Sequence, residues 1–331
     1  MRTKIVYVVT SNEDDYYLEQ TLLSILSLRI HNPSATVILI VDDSTYGIIV
    51  NTRKRLNSVV THIIVAPTPN GFNNVQKSRF IKTSLRKLID GDYLFIDSDT
   101  VISAPLDDID NIQASVAAVK DKHLDIENHN WKNLIENWAT FVNWELTPKD
   151  NIYFNSGVFY VKDDEIAHNL YKKWHQFWLE YNEKGISIDQ PVLGKANSIC
   201  GHVIEELPGI WNCQILENGL RFLNKAKIIH FFSSTLDNRG ANSPYLLKDV
   251  RLYHTIRNNE DIPLEISNLI QHPKEAFKER VVLLSDDEID LMATPIYQKI
   301  KSVYLSSPSK FKLLEKTRRL FGKVTRLLHI R

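Results

Sequence analysis

Residues 93–100 read Tyr93-Leu94-Phe95-Ile96-Asp97-Ser98-Asp99-Thr100. Four consecutive apolar residues without alternation are the pattern of a strand buried on both faces, as parallel sheets require. The run ends on two carboxylates separated by one residue. At a strand end such a pair approaches a single hard cation together, and oxygen ligands suit Mn²⁺ or Mg²⁺. An ion held there would bridge the two phosphates of a nucleotide diphosphate and neutralise charge developing on a leaving group. An Asp-x-Asp triplet alone is also the pattern of a solvated turn or helix start. Its place directly after the strand favours the cation site.

Upstream, apolar runs alternate with helical stretches. Strands are expected over Ile5 to Thr10, Thr36 to Val41 and His62 to Val65. Helices are expected from about Asp14 to Leu28, near Tyr46 to Asn57, and from about Asn74 to Ile89. This is a βαβ rhythm. Thr10-Ser11-Asn12, Asp42-Asp43-Ser44 and Asp97-Ser98-Asp99 therefore end strands on one sheet edge, where open α/β sheets bind ligands. Past Pro105 the pattern becomes irregular, with Trp131, Trp138 and Trp144 in mixed helix and loop, the kind of segment from which acceptor sites are built. A strand over Ser156 to Val161 follows, then a helix from about Asp164 to Tyr181 whose Trp174 and Trp178 are read as core. Pro263 and Pro273 punctuate a charged connector to C-terminal helices.

The chain has 331 residues, 43% of them hydrophobic, enough for a sizeable core. Forty basic and forty acidic side chains cancel, and no basic, aromatic-interleaved stripe appears in the body, so nucleic acid is not an expected partner. Cys200 and Cys213 lie in no CxxC or Cys/His cluster. Met1 to Lys4 lead directly into an apolar strand, with no signal h-region or run of eighteen apolar residues. A cytoplasmic protein is expected, peripheral on the inner face of a membrane if it binds one.

The stretch Tyr93 to Thr100 resembles the strand and DxD motif of glycosyltransferase family 8. Four further segments resemble that family in order: Phe154-Asn155-Ser156-Gly157-Val158, Asp189-Gln190-Pro191-Val192-Leu193, Leu207-Pro208-Gly209-Ile210-Trp211-Asn212 and Ile228-Ile229-His230-Phe231. The resemblance implies a GT-A fold, a Rossmann-like mixed central sheet flanked by helices, with a C-terminal helical extension. It implies a retaining transferase that moves a hexose from a UDP-sugar donor to a glycan or glycolipid acceptor in bacterial surface polysaccharide or lipopolysaccharide synthesis. Asp97, Asp99 and His230 would form the metal set. Asn155 and Asp189 would hold donor-sugar hydroxyls, and Gln190 would lie near the anomeric carbon. Thr10, Ser11, Asn12 and Tyr17 would cradle the nucleotide, with Tyr17 able to stack on uracil. Asp42 or Asp43 would accept from base or ribose, Ser98 would lie within the DxD, and Arg79 and Lys82, at i, i+3 spacing, would reach the diphosphate or form a solvated helix face. After His230 the family's Gly-x-x-Lys-Pro-Trp is replaced by Phe232-Ser233-Ser234-Thr235, and Arg239 would substitute for the missing lysine.

The expected organisation is a catalytic domain over 1–245, its nucleotide-sugar half reaching about 105 and its acceptor half covering about 106–245. An extension over 246–307 and a basic helix over 308–331 follow. From Lys310 to Arg331 eight Lys or Arg stand against Glu315, with Phe311, Leu314, Phe321, Val324 and Leu328 near helical period. Such a helix lies on anionic lipid or packs on protein. Competing readings are a sugar-phosphate nucleotidyltransferase and a non-catalytic nucleotide or carbohydrate-binding protein. The former normally has a glycine-rich loop after the first strand, whereas Thr10 to Asp15 are acidic and lack glycine.

Overall fold

The computed structural model describes residues 1–231, 243–259, 261–278, 286–313 and 316. Its first half runs β1 (Lys4–Val9), α1 (Tyr17–His31), β2 (Val37–Val41), α2 (Asp43–Asn51), α3 (Arg55–Val59), β3 (His62–Val65), α4 (Asn74–Thr83) and β4 (Tyr93–Ile96). β2 and β4 are wholly buried, as expected of apolar strands covered on both faces. β1 pairs parallel with β2 on one side and β4 on the other. The carboxyl ends of β1 and β4 thus flank a switch point, the place where such sheets take ligands.

Past β4 the chain forms β5 (Thr100–Ile102), β6 (Val116–Lys120), α5 (Lys132–Phe141), β7 (Phe154–Val161), α6 (Glu165–Glu183), α7 (Gln190–Ile199), β8 (Ile204–Glu206), β9 (Cys213–Gln214) and β10 (Ile228–His230). The large sheet has the order β3-β2-β1-β4-β7-β6-β8, and a small one the order β5-β10-β9. β7 is antiparallel to both β4 and β6, so the large sheet is mixed. Trp174 and Trp178 are fully buried on α6, as expected. Their indole N–H groups also donate to the carbonyls of Asp189 and Ser187, 3.0 and 3.1 Å away. The packed pair therefore fixes the segment that leads into α7.

Several boundaries differ from the sequence reading for local reasons. α1 starts at Tyr17 because Asn12 Oδ1 accepts from the N–H groups of Asp14 and Asp15, holding residues 12–15 in a side-chain-bonded turn. The polar helix after β2 splits into α2 and α3, and α4 stops at Thr83, followed by a 3₁₀ turn over Leu85–Lys87.

The extension contributes α8 (Val250–Asn258), α9 (Leu264–Gln271), α10 (Asp286–Ala293) and α11 (Pro295–Ser306). Tyr245, Leu247, Tyr253, Ile256, Ile266 and Ile270 pack in the same core as β1, β2 and α1, so α8 and α9 share the core of the body built on the large sheet. Arg257 on α8 pairs with buried Glu19 on α1 at 2.9 Å. Most of the expected basic C-terminal helix lies outside the described residues, as does Arg239. No helix among the described residues is long and apolar enough to cross a membrane.

Candidate active site

Two pairings bring distant residues to the end of β4. Asp97 N–H donates to the Gly157 carbonyl at 2.7 Å, tying the DxD to β7. β10 runs antiparallel to β5 with His230 opposite Thr100, so His230, 131 positions along the chain, lies with Nε2 3.1 Å from Asp99 Oδ1. One potential ligand atom from each of Asp97, Asp99 and His230 lies within 4.8 Å of the others. The three residues expected to hold the metal are therefore brought together as a candidate cation site.

A chain of hydrogen bonds determines which imidazole nitrogen faces the aspartates. Asp121 is a buried carboxylate whose pKa burial would raise. Hydrogen bonds from His129 and Asn155 outweigh burial and hold it below the usual range. As an anion it only accepts, so Asn155 must present Nδ2 to it, at 2.8 Å. Asn155 Oδ1 then accepts from Gly157 N–H and Asn212 Nδ2, both at 2.9 Å. Asn212 Oδ1 faces His230 Nδ1 at 3.0 Å, so Nδ1 carries the proton. In the neutral ring Nε2 thus turns a lone pair toward the Asp99 carboxylate. That contact is repulsive unless a proton or a cation lies between them. Burial disfavours the imidazolium, but Asp99 and Asp97 outweigh it and raise the His230 pKa. The donor set of two carboxylates and one oriented imidazole fits a divalent cation.

Charge leads to the same conclusion. The cavity at this edge, about 390 Å³, is lined by Asp97, Asp99, Asp121, Asp189 and Glu217 against Arg79, Lys82 and Lys122. The lining is net acidic, an environment that favours a bound cation. Burial pushes the Asp97 pKa up, and Asp99 adds to this while Lys82 and Arg79 pull it down. Gly157 leaves the room required: a Cβ there would lie 2.5 Å from His230 Cε1 and 2.8 Å from Asp97 Oδ2.

Arg79 and Lys82 do share a helix face, and it lines the cavity. Lys82 is 2% exposed, with Nζ 3.6 Å from Asp97, 3.3 Å from Asp189 and 3.1 Å from Ser156 Oγ. Arg79 Nε lies 3.1 Å from Asp189. Asp189 precedes α7 without making a side-chain cap bond. Its oxygens instead face Lys82, Arg79 and Ser156, which outweigh burial and lower its pKa to about 2. Gln190 Nε2 donates to the Phe154 carbonyl at 3.1 Å.

Thr10, Tyr17, Arg79, Lys82, Ser98, Asn155, Asp189 and Gln190 line the cavity with the metal set. Ser11, Asn12 and Asp42 do not. Ser11 donates its N–H to Thr45 Oγ1 and its hydroxyl to Asp15, and Asn12 holds the turn before α1. Asp42 caps α2 and pairs with Lys77 at 2.7 Å, which commits its carboxylate. Sequence reasoning missed Asp121, Asn212, Lys122 and the placement of Trp131. Asp121 follows the apolar run of β6 just as Asp97 follows that of β4, and this was a usable signal. Asn212 ends the Leu207 to Asn212 segment, whose resemblance implies no role for it.

Residues 8–235 match the model of the family described as Glycosyl transferase family 8. No curated protein matches the chain. Among solved structures, the bifunctional glycosyltransferase WbbM in its apo form is 17% identical with a TM-score of 0.52, covering 80% of this chain and 51% of its own. The chain thus spans about half the length of WbbM. The galactosyltransferase LgtC, solved with donor and acceptor sugar analogues, is 12% identical with a TM-score of 0.50, covering 80% of this chain and 99% of its own. These likenesses establish the architecture as the GT-A fold.

Proposed function

Because the chain belongs to glycosyl transferase family 8, we propose that this glycosyltransferase is metal-dependent and moves a hexose from a UDP-sugar to a glycan or glycolipid acceptor with retention. The setting proposed is bacterial surface polysaccharide or lipopolysaccharide synthesis. The observation that carries this reading is the convergence of Asp97, Asp99 and His230 within 4.8 Å, with the imidazole oriented by Asn212. These three residues would hold Mn²⁺ or Mg²⁺, which when bound supplies Lewis-acid neutralisation of a diphosphate leaving group.

The remaining roles fall to the protein's own groups. Thr10, just past β1, and Tyr17, at the start of α1, bind the nucleotide. Arg79 and Lys82 hold the Asp189 carboxylate at the sugar subsite, and Asn155, locked by Asp121 and Asn212, keeps the wall beside it rigid. Gln190, anchored through its amide nitrogen, offers Oε1 near the anomeric carbon. A carboxylate and an amide fix hydroxyl orientation better than apolar contacts. The basic C-terminal segment would bring the enzyme to an anionic membrane surface.

Two experiments test this. Asp97→Ala and Asp99→Ala are each expected to lower Mn²⁺-dependent UDP release from a UDP-hexose by at least about a hundredfold. Release equal to wild type would refute the metal assignment. Removal of residues 310–331 is expected to leave UDP-sugar hydrolysis intact while reducing sedimentation with anionic liposomes. Unchanged sedimentation would discard the membrane role.

A further inference from the structure

Helix α5 carries two apolar faces. Ile135 and Ala139 are buried in the core. A second row, Trp131, Leu134, Trp138 and Phe141, recurs at steps of three, four and three residues and so forms one stripe along the helix. Trp131, Leu134 and Phe141 are 47%, 41% and 48% exposed, and Trp138 is half-buried. Leaving such a row in water is unfavourable, at roughly 25 cal/mol for each Å² uncovered.

One end of the stripe enters the proposed active site. Trp131 lines the cavity, and there Lys122 Nζ lies 3.5 Å from the indole centroid and 3.1 Å from Glu217. The surface is therefore polar where it meets the cavity and apolar for about 15 Å beyond it. We propose that the stripe docks the apolar aglycone of the acceptor, which is a lipid-linked glycan whose sugar enters beside Lys122 and Glu217. This rests on the transferase reading above and names its acceptor class.

Polarity order is the argument. An acceptor hydroxyl must reach the cavity, so the rest of the acceptor leaves across the rim, and at Trp131 the adjoining surface is aromatic. Indole and phenyl groups suit a boundary between glycan and hydrocarbon. A second protein is a poorer occupant. Four half-exposed side chains of roughly 200 Å² each offer about 400 Å², below the about 800 Å² per partner of a stable interface.

The test compares maltose with n-dodecyl β-D-maltoside below its micellar concentration, read by tryptophan fluorescence of the full-length chain. Wild type is expected to bind the dodecyl glycoside at least tenfold more tightly. The Leu134→Ser/Phe141→Ser double variant is expected to bind both alike, with unaltered melting temperature and unaltered affinity for UDP with Mn²⁺. Leu134→Met/Phe141→Leu, which keeps the stripe apolar, is expected to retain the preference. No preference in wild type, or a preference that survives the serine variant, overturns the proposal. So does a wild-type dimer that the serine variant dissolves in analytical ultracentrifugation. A wild-type preference without any UDP binding leaves the docking surface standing and removes the transferase reading beneath it.

Discussion

Gly157→Ala probes the site at the point where three of its walls meet. The added Cβ would lie 2.5 Å from His230 Cε1, 2.8 Å from Asp97 Oδ2 and 2.9 Å from Asn155 Oδ1. Ordinary contact begins near 3.4 Å, so the imidazole must move by nearly 1 Å or the strand must give way. His230 cannot yield cheaply, since it is 2% exposed and bonded to Asn212 at 3.0 Å. Overpacking of this kind costs about 1–3 kcal/mol of stability. Displacing an orienting partner of a metal ligand weakens metal affinity by about 10–100-fold. Calorimetric titration with Mn²⁺ in the presence of UDP is the assay, beside a thermal melt. Gly47→Ala is the control: it lies in α2 with nothing within 4 Å of the added carbon, and alanine there is expected to stabilise by about 0.5–1 kcal/mol. Mn²⁺ affinity and turnover within twofold of wild type for Gly157→Ala would show that the added carbon is accommodated without moving His230.

Arg257→Ala removes a clamp on the loop that leads to Tyr17. The guanidinium donates to the Glu13 carbonyl at 2.9 Å and to the Asp15 carbonyl, pairs with Glu19 and stacks 4.1 Å from the Tyr16 ring centroid. The expected result is a KM for the nucleotide-sugar raised about tenfold with kcat changed less, since the loss concerns binding in ground and transition states alike. An unchanged KM counts against a role for the extension in donor binding. Burial depresses the pKa of His175 to about 4 and that of His123 to about 3, from 6.5. With folded values below unfolded ones, the unfolded chain binds more protons between about pH 6.5 and 4, so stability is full above that window and falls with pH through it. His175→Gln is expected to remove about 1 kcal/mol or less of the stability lost between pH 6.5 and 5.5, read from urea midpoints; an unaltered pH dependence would contradict this.

Much of the site was legible because its signals are local. Asp97 and Asp99 follow a strand, and Trp174 and Trp178 recur at helical spacing. Arg79 and Lys82 were visible as a pair, but their partner Asp189 is set by how α4 packs near α7, which spacing does not encode. His230 reaches Asp99 only through the β5–β10 pairing, so residues alone supplied the imidazole and the resemblance supplied its place. Asp42 looked like a strand-end ligand, yet the same geometry makes it an N-cap, and Lys77 takes the rest of its charge. Helix starts were misplaced where side chains such as Asn12 capture backbone N–H groups. The stripe on α5 is readable as a period, but which apolar row faces the core depends on contacts that only the fold provides.

In the proposed reading one divalent cation is held by Asp97, Asp99 and His230. Anomalous diffraction from a crystal soaked in Mn²⁺ and UDP tests it directly. A single strong peak is expected within about 2.5 Å of an oxygen of each aspartate and of His230 Nε2. A peak elsewhere, or none with UDP bound, would contradict it.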